Sequence, residues 1–163
     1  MKRRSFIKKG AVLASAPFIT TGLFARAIMN KRIAENPFKL NYAPHFGMFK
    51  HNAGENLLDQ LQFMHDQGFR SLEDNGMKGR SINVQTKIAK KMNKLNMDMG
   101  VFVGHKIYWR EPNLTSGEKS LQDEFVKNIK ESVEVAKRVN ATWMTVVPGH
   151  VDLKKEMAYQ TVN

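Results

Sequence analysis

The feature that most constrains this chain is an alternation. Four short runs with strand character start near residues 38, 69, 99 and 142, and three stretches with helical periodicity separate them. The first run, 38–43 (F-K-L-N-Y-A), alternates apolar and polar residues and stops at Pro44. The second, 69–73, is short. The third, 99–103 (M-G-V-F-V), is continuously apolar, which suits a strand buried on both faces. The fourth, 142–147 (T-W-M-T-V-V), ends at Pro148-Gly149. Between them, 55–67 places Leu57, Leu58, Leu61 and Met64 on one helical face and meets Gly68 as a C-terminal cap. Residues 82–96 repeat the pattern with Val84, Ile88, Met92 and Leu95. The longest helix is expected to open at Ser120, with Asp123 at capping-box spacing and a core face of Leu121, Phe125, Ile129, Val133 and Ala136. Another helix is expected from Lys154.

The order βαβαβαβ predicts a parallel sheet with right-handed crossovers. The strand starts are spaced by 31, 30 and 43 residues. A (β/α)8 barrel of about 250 residues allots roughly 31 to each unit. The expected fold class is therefore α/β, a partial (β/α)8 TIM barrel of about four parallel β/α units. No G-x-G-x-x-G follows the first strand, which disfavours a dinucleotide-binding sheet. Four such strands with helices on one face leave the other face and two edges uncovered. The expectation is a truncated version of a chain of about 250–300 residues, the usual barrel size. A half-barrel that pairs with a second copy is the alternative, which makes a homo-oligomer an expected partner.

The N-terminus reads as an address label. Residues 2–8 are K-R-R-S-F-I-K, an uncharged stretch runs from Gly10 to Phe24, and Ala25-Arg26-Ala27 gives a small-x-small cleavage pattern. The R-R-x-F-I-K form resembles a twin-arginine signal. It implies a signal peptide over 1–27, a linker over 28–37, the twin-arginine export machinery as a partner, and a periplasmic or exported bacterial protein. The stretch is too short and too rich in small residues for a good membrane span.

Charge must be divided before it is interpreted. The formal charge of the 163-residue chain is +11, but residues 1–27 contribute six basic side chains and no acid. Residues 28–163 hold 20 basic and 15 acidic side chains. The basicity is largely N-terminal, and a nucleic-acid partner is not expected. The absence of cysteine excludes disulfides, thiolate metal sites and cysteine nucleophiles. Met92, Met97 and Met99 are read as core filler. Lys87, Lys90, Lys91 and Lys94 are read as a solvated helix face.

Polar residues collect where the strands end, the side on which parallel α/β folds build sites. The first strand offers Asn41 and His45, the second Glu73 and Asp74, the third His105 and Lys106, and the fourth His150 and Asp152. Each has a plainer reading. Glu73 can brace a loop, His105 and His150 can satisfy backbone carbonyls, and His45 can line a rim. Tyr108 and Trp109 fit a hydrophobic plug or a lid equally well. A neutral histidine and a carboxylate at one mouth suit a divalent metal or sugar hydroxyls. However, no H-x-x-x-H, H-E-x-x-H or D-x-D spacing is present, and no G-x-S-x-G elbow.

The segments F-K-L-N-Y-A-P-H-F-G-M-F (38–49), D-Q-G-F-R-S-L-E-D-N-G (66–76) and A-T-W-M-T-V-V-P-G-H (141–150) resemble hydroxypyruvate isomerase-like proteins. These belong to the sugar phosphate isomerase/epimerase group with a xylose isomerase-like TIM barrel, and the resemblance covers residues 38–163. It implies a sugar or hydroxy-carbonyl isomerase or epimerase that moves a proton through an enediolate. The implied substrate is a small carbohydrate or hydroxy acid. The resemblance further implies two catalytic glutamates and a divalent metal, Mn or Mg, in the complete protein. Those glutamates and the metal ligands come mainly from strands five to eight, so they are expected beyond Asn163, and the 163-residue chain is expected to be inactive and metal-free. Asn41 and Glu73 match family positions near the substrate. With His45, His105 and His150 they make up the expected substrate-binding set. The alternative function is an exported, non-catalytic binding protein for a sugar or sugar acid. An abasic-site endonuclease is disfavoured by export and by the modest basic surface.

Overall fold

The structure is a computed structural model that describes residues 38–162. The expected signal peptide and linker lie outside the described residues.

The described residues begin with an irregular stretch that leads to a short helix, α1 (Lys50–Ala53). The next helix, α2 (Leu57–Asp66), starts where the Asn56 side chain accepts the Leu58 N–H at 2.9 Å. That bond satisfies one of the donors every helix start leaves free. The helix buries Gln60, Leu61 and Met64. Gln60 is polar but fully used: its Oε1 accepts the Gly47 N–H at 2.7 Å and its Nε2 donates to Gly54 O at 2.8 Å. It thereby ties the loops on both sides of α1 to α2. Gly68, at φ +99°, then turns the chain into β1 (Ser71–Leu72), a backbone angle that favours glycine.

Helix α3 (Ile82–Leu95) is capped by Ser81 and buries Gln85, Ile88 and Met92. It ends with Asn96 in the left-handed conformation and leads into β2 (Asp98–Met99). Helix α4 (Lys119–Val139) follows a long loop, and α5 (Met157–Gln160) lies near the end of the described residues. Helix α3 packs against both α2 and α4.

β1 and β2 pair in parallel, Ser71 with Asp98 and Leu72 with Met99. Three isolated bridges continue the pattern, all parallel: His45 with Glu73, Val103 with Thr145, and Pro112 with His150. The described residues are thus a mixed helix and sheet arrangement around a two-stranded parallel sheet, compatible with the expected α/β class. The strands are much shorter than their apolar runs. Residues 38–43 form no ladder, and the first segment bridges only at His45, where Pro44 O accepts the Glu73 N–H at 3.1 Å. Proline has no N–H to return. The run 142–147 likewise narrows to the bridge at Thr145, whose N–H donates to Phe102 O at 2.8 Å.

The core is formed where α2, α3 and α4 cover this sheet. Leu61, Met64, Leu72, Ile88 and Phe102 are completely or almost completely buried, and Met92, Met97 and Met99 join them as expected. Gly100 marks a close approach, since a Cβ there would stand 3.0 Å from Leu72 O.

Two expectations for α4 fail. No side chain caps its start at Glu118, and Ser120 lies inside the helix. Asp123 instead pairs with Lys119 one turn back. The core face is also rotated. Ser132, Val135 and Val139 are buried, Leu121, Phe125, Ile129 and Ala136 are half-buried, and Val133 is exposed. The rotation follows from a polar contact. Ser132 Oγ donates to Gly104 O at 2.5 Å, which turns the serine inward and carries Val133 toward solvent. The helix expected from Lys154 is reduced to the four residues of α5.

Candidate functional site: the strand-end cavity around Glu73

The loop after β1 is organised by Asp74, not Glu73. Asp74 is almost wholly buried, and its carboxylate takes both arms of Arg80, Nε at 2.6 Å and Nη2 at 3.1 Å. It also accepts the Gly76 N–H at 3.1 Å. These bonds use the carboxylate up. Strand alternation then turns Glu73 the opposite way, toward an open cavity of about 460 Å³.

Four polar side chains line that cavity: Glu73, Asn75, His105 and Thr145. Val103, Ile107 and Val147 form its apolar wall, with the indole of Trp109 beside them. Every described lining residue has odd parity along its own segment: 73 and 75; 103, 105, 107 and 109; and 145 and 147. The period-two alternation of the strands therefore continues past their ends into the loops. Asn75 and Thr145 were not anticipated. Counting by twos from Glu73 and Val103 would have found Asn75, and the Val103 bridge places Thr145.

His45 stands beside Glu73, with Nε2 3.7 Å from Oε1, and both side chains remain partly exposed. His105 is in a different condition. It is 4% exposed, and its ring stands edge-on to Phe125 with centroids 5.0 Å apart. Nδ1 donates to Lys106 O at 2.8 Å and Nε2 accepts the Val147 N–H at 2.9 Å. A carbonyl can only accept and an amide N–H can only donate, so these contacts fix the Nδ1–H tautomer. His105 forms part of the cavity wall, with neither nitrogen free for a ligand.

Three residues of the expected set do not line this cavity: His45, which lines a separate apolar cavity with Phe38, Tyr42, Met48 and Phe69, and Asn41 and His150. Asn41 is four residues before the His45 bridge, which carries it to the end where the strands begin. There its Nδ2 donates to Asp98 Oδ2 at 3.2 Å, and Asp98 opens β2. The expectation for Asn41 is corrected by this register: the chain reaches Glu73 at His45, past Pro44. His150 is exposed, bridges Pro112 and does not line the Glu73 cavity. Its Nδ1 donates to Val151 O at 2.6 Å, and its carbonyl accepts the Thr115 hydroxyl.

The loop 104–111 also lines a second cavity of about 410 Å³, which shares Ile107 and Trp109 with the first. There Lys106 Nζ donates to Tyr108 Oη at 2.8 Å, and Tyr108 donates to Glu124 at 2.5 Å. The tyrosine hydrogen bond, with Glu124 adding to it, holds the Lys106 ammonium above its ordinary pKa. Tyr108 is thus bound to α4, while Trp109 remains 72% exposed at the cavity mouth. Among the described residues no three His, Asp or Glu side chains are placed to hold a metal ion. The chain matches no family model, no curated protein and no solved structure.

Proposed function

We propose that the Glu73 cavity binds a small hydroxylated carbonyl compound, and that the protein acts as a sugar or hydroxy-carbonyl isomerase or epimerase. The observation that carries this reading is the position of Glu73. Its carboxylate sits at the carboxyl end of a parallel strand, faces an open cavity of about 460 Å³, and has His45 at 3.7 Å. Such isomerisation takes a proton from one carbon to its neighbour by way of an enediolate while the hydroxyl proton passes to the carbonyl oxygen, and epimerisation returns a proton to the opposite face of the same carbon. In the isomerisation a single carboxylate can remove the carbon-bound proton and return it to the next carbon. Among the described residues Glu73 is the carboxylate open to this step, because Asp74 is occupied by Arg80. Glu73 would act together with the two glutamates that the resemblance implies beyond Asn163. Asn75 and Thr145 supply amide and hydroxyl partners for substrate hydroxyls, while His45 stands 3.7 Å from Glu73 but outside the cavity lining. The resemblance of residues 38–49, 66–76 and 141–150 to hydroxypyruvate isomerase-like proteins supports the same chemistry and the half-barrel architecture. The twin-arginine-like start supports export to the periplasm.

The family chemistry includes a divalent metal. The described residues do not by themselves provide three converging ligands. The deciding assay, run on the complete protein that the resemblance implies, is turnover of hydroxypyruvate and of free ketoses, with and without Mn or Mg, followed by proton exchange with solvent at the carbon next to the carbonyl. Exchange that depends on Glu73 supports the reading, and absence of both turnover and exchange refutes it. A second reading, a sugar-binding protein without chemistry, is favoured by the commitment of Asp74 and His105 to internal bonds. Saturable sugar binding without exchange would decide for it.

A further inference from the structure

We infer that the ligand of the Glu73 cavity is an uncharged sugar whose ring face rests on Trp109, and that sugar phosphates and hydroxy acids bind there more weakly. The inference rests on the reading of this cavity as a hydroxy-carbonyl site and narrows it.

Two observations support it. The first is charge. Among the described residues, those lining the cavity include one carboxylate, Glu73, and no lysine or arginine. His105, the one imidazole among them, accepts from Val147 through one nitrogen and donates to Lys106 O through the other. Among the described residues nothing in the wall is free to neutralise a phosphate or carboxylate, while Glu73 repels one. Lys106 and Arg110 line the neighbouring cavity together with Glu111, and Lys106 is already held by Tyr108 and Glu124.

The second observation is the indole. Trp109 belongs to the cavity lining yet is 72% exposed. An indole left this open presents an apolar face with a negative quadrupole. The C–H groups on one face of a sugar ring are its natural complement, and the hydroxyls at the ring edge then reach Glu73, Asn75 and Thr145. An open three-carbon acid offers no such face.

The test uses the protein's two tryptophans, Trp109 and Trp143. Trp143 is exposed and is not part of the cavity lining, so Trp143→Phe leaves Trp109 as the sole indole reporter. The full chain carrying this change is titrated with fructose, fructose 6-phosphate and hydroxypyruvate, by emission and in parallel by calorimetry. The expected result is a saturable emission change with fructose and binding of both anions weaker by about tenfold. Glu73→Gln is expected to narrow that gap to about threefold or less by removing the repelling charge. Anions that bind as tightly as fructose overturn the inference and leave the hydroxy-carbonyl site standing. Calorimetric binding of fructose that leaves Trp109 emission unchanged overturns the stacking contact. No binding of any of the three by either method removes the site reading itself, and the inference with it.

Discussion

The imidazole of His105 accepts the backbone N–H of Val147 at 2.9 Å, across a sequence separation of 42 residues. The same ring donates to Lys106 O, so it joins the third extended segment to the fourth at the wall of the cavity. His105→Ala leaves the Val147 N–H and the Lys106 carbonyl without their partner, at an expected cost of about 2–3 kcal/mol in urea unfolding. If His105 bound ligand instead, the same change would lower affinity while leaving stability intact.

Asp74→Ala is expected to cost about 3 kcal/mol, because it strips a buried carboxylate from Arg80 and releases the Gly76 turn. Arg80 is partly exposed, which keeps the loss at the low end for a broken buried pair. Thermal unfolding of the variant measures it. A shift within error of zero would show that the loop does not depend on this pair.

Glu73→Gln is expected to behave differently from Asp74→Ala. Among the described residues the Glu73 side chain contacts only His45 as an ion-pair partner, so stability should change by less than about 1 kcal/mol. Solvent proton exchange should fall by about 10²–10⁴-fold, the usual contribution of a general base. Exchange kinetics in deuterium oxide on the purified variant of the complete protein provide the comparison.

Phe102→Ala removes a fully buried ring beneath the helices and is expected to cost about 3–5 kcal/mol. Val133→Ala, on the exposed side of α4, should cost less than about 1 kcal/mol. Denaturant titration of the pair tests the rotated helix face directly, since the sequence pattern alone ranks Val133 as core.

The Glu131 carboxyl is held below its ordinary pKa by its hydrogen bond and charge contact with Lys78. A depressed carboxylate stabilises the fold above its unfolded pKa, and that contribution is lost as pH falls through the lower folded value. Acidification from pH 5 to pH 3 should therefore weaken the wild type more than Lys78→Met. Parallel acid dependences would show that this exposed pair adds nothing.

Much of this protein is determined locally. The spacing of Leu61 and Met64, and of Ile88 and Met92, sets which faces of α2 and α3 are buried, because a 3.6-residue period needs no partner to be read. Gly68 and Asn96 mark the helix ends, where the backbone turns through a left-handed conformation. The parallel order follows from helices placed between strands. Glu73 at a strand end follows from the same alternation.

What the sequence leaves open is every feature that depends on a distant partner. Asn41 looks like a strand-end residue until the His45–Glu73 bridge sets the register and moves it to the other end of the sheet. Val133 fits a core stripe until the Ser132 bond to Gly104 rotates α4. His105 has the chemistry of a ligand until Val147 and Lys106 occupy both its nitrogens. Local periodicity fixes which elements form and which face is apolar. Register, helix rotation and the fate of a polar group are settled by hydrogen bonds across many residues, and only the tertiary structure brings those donors and acceptors together.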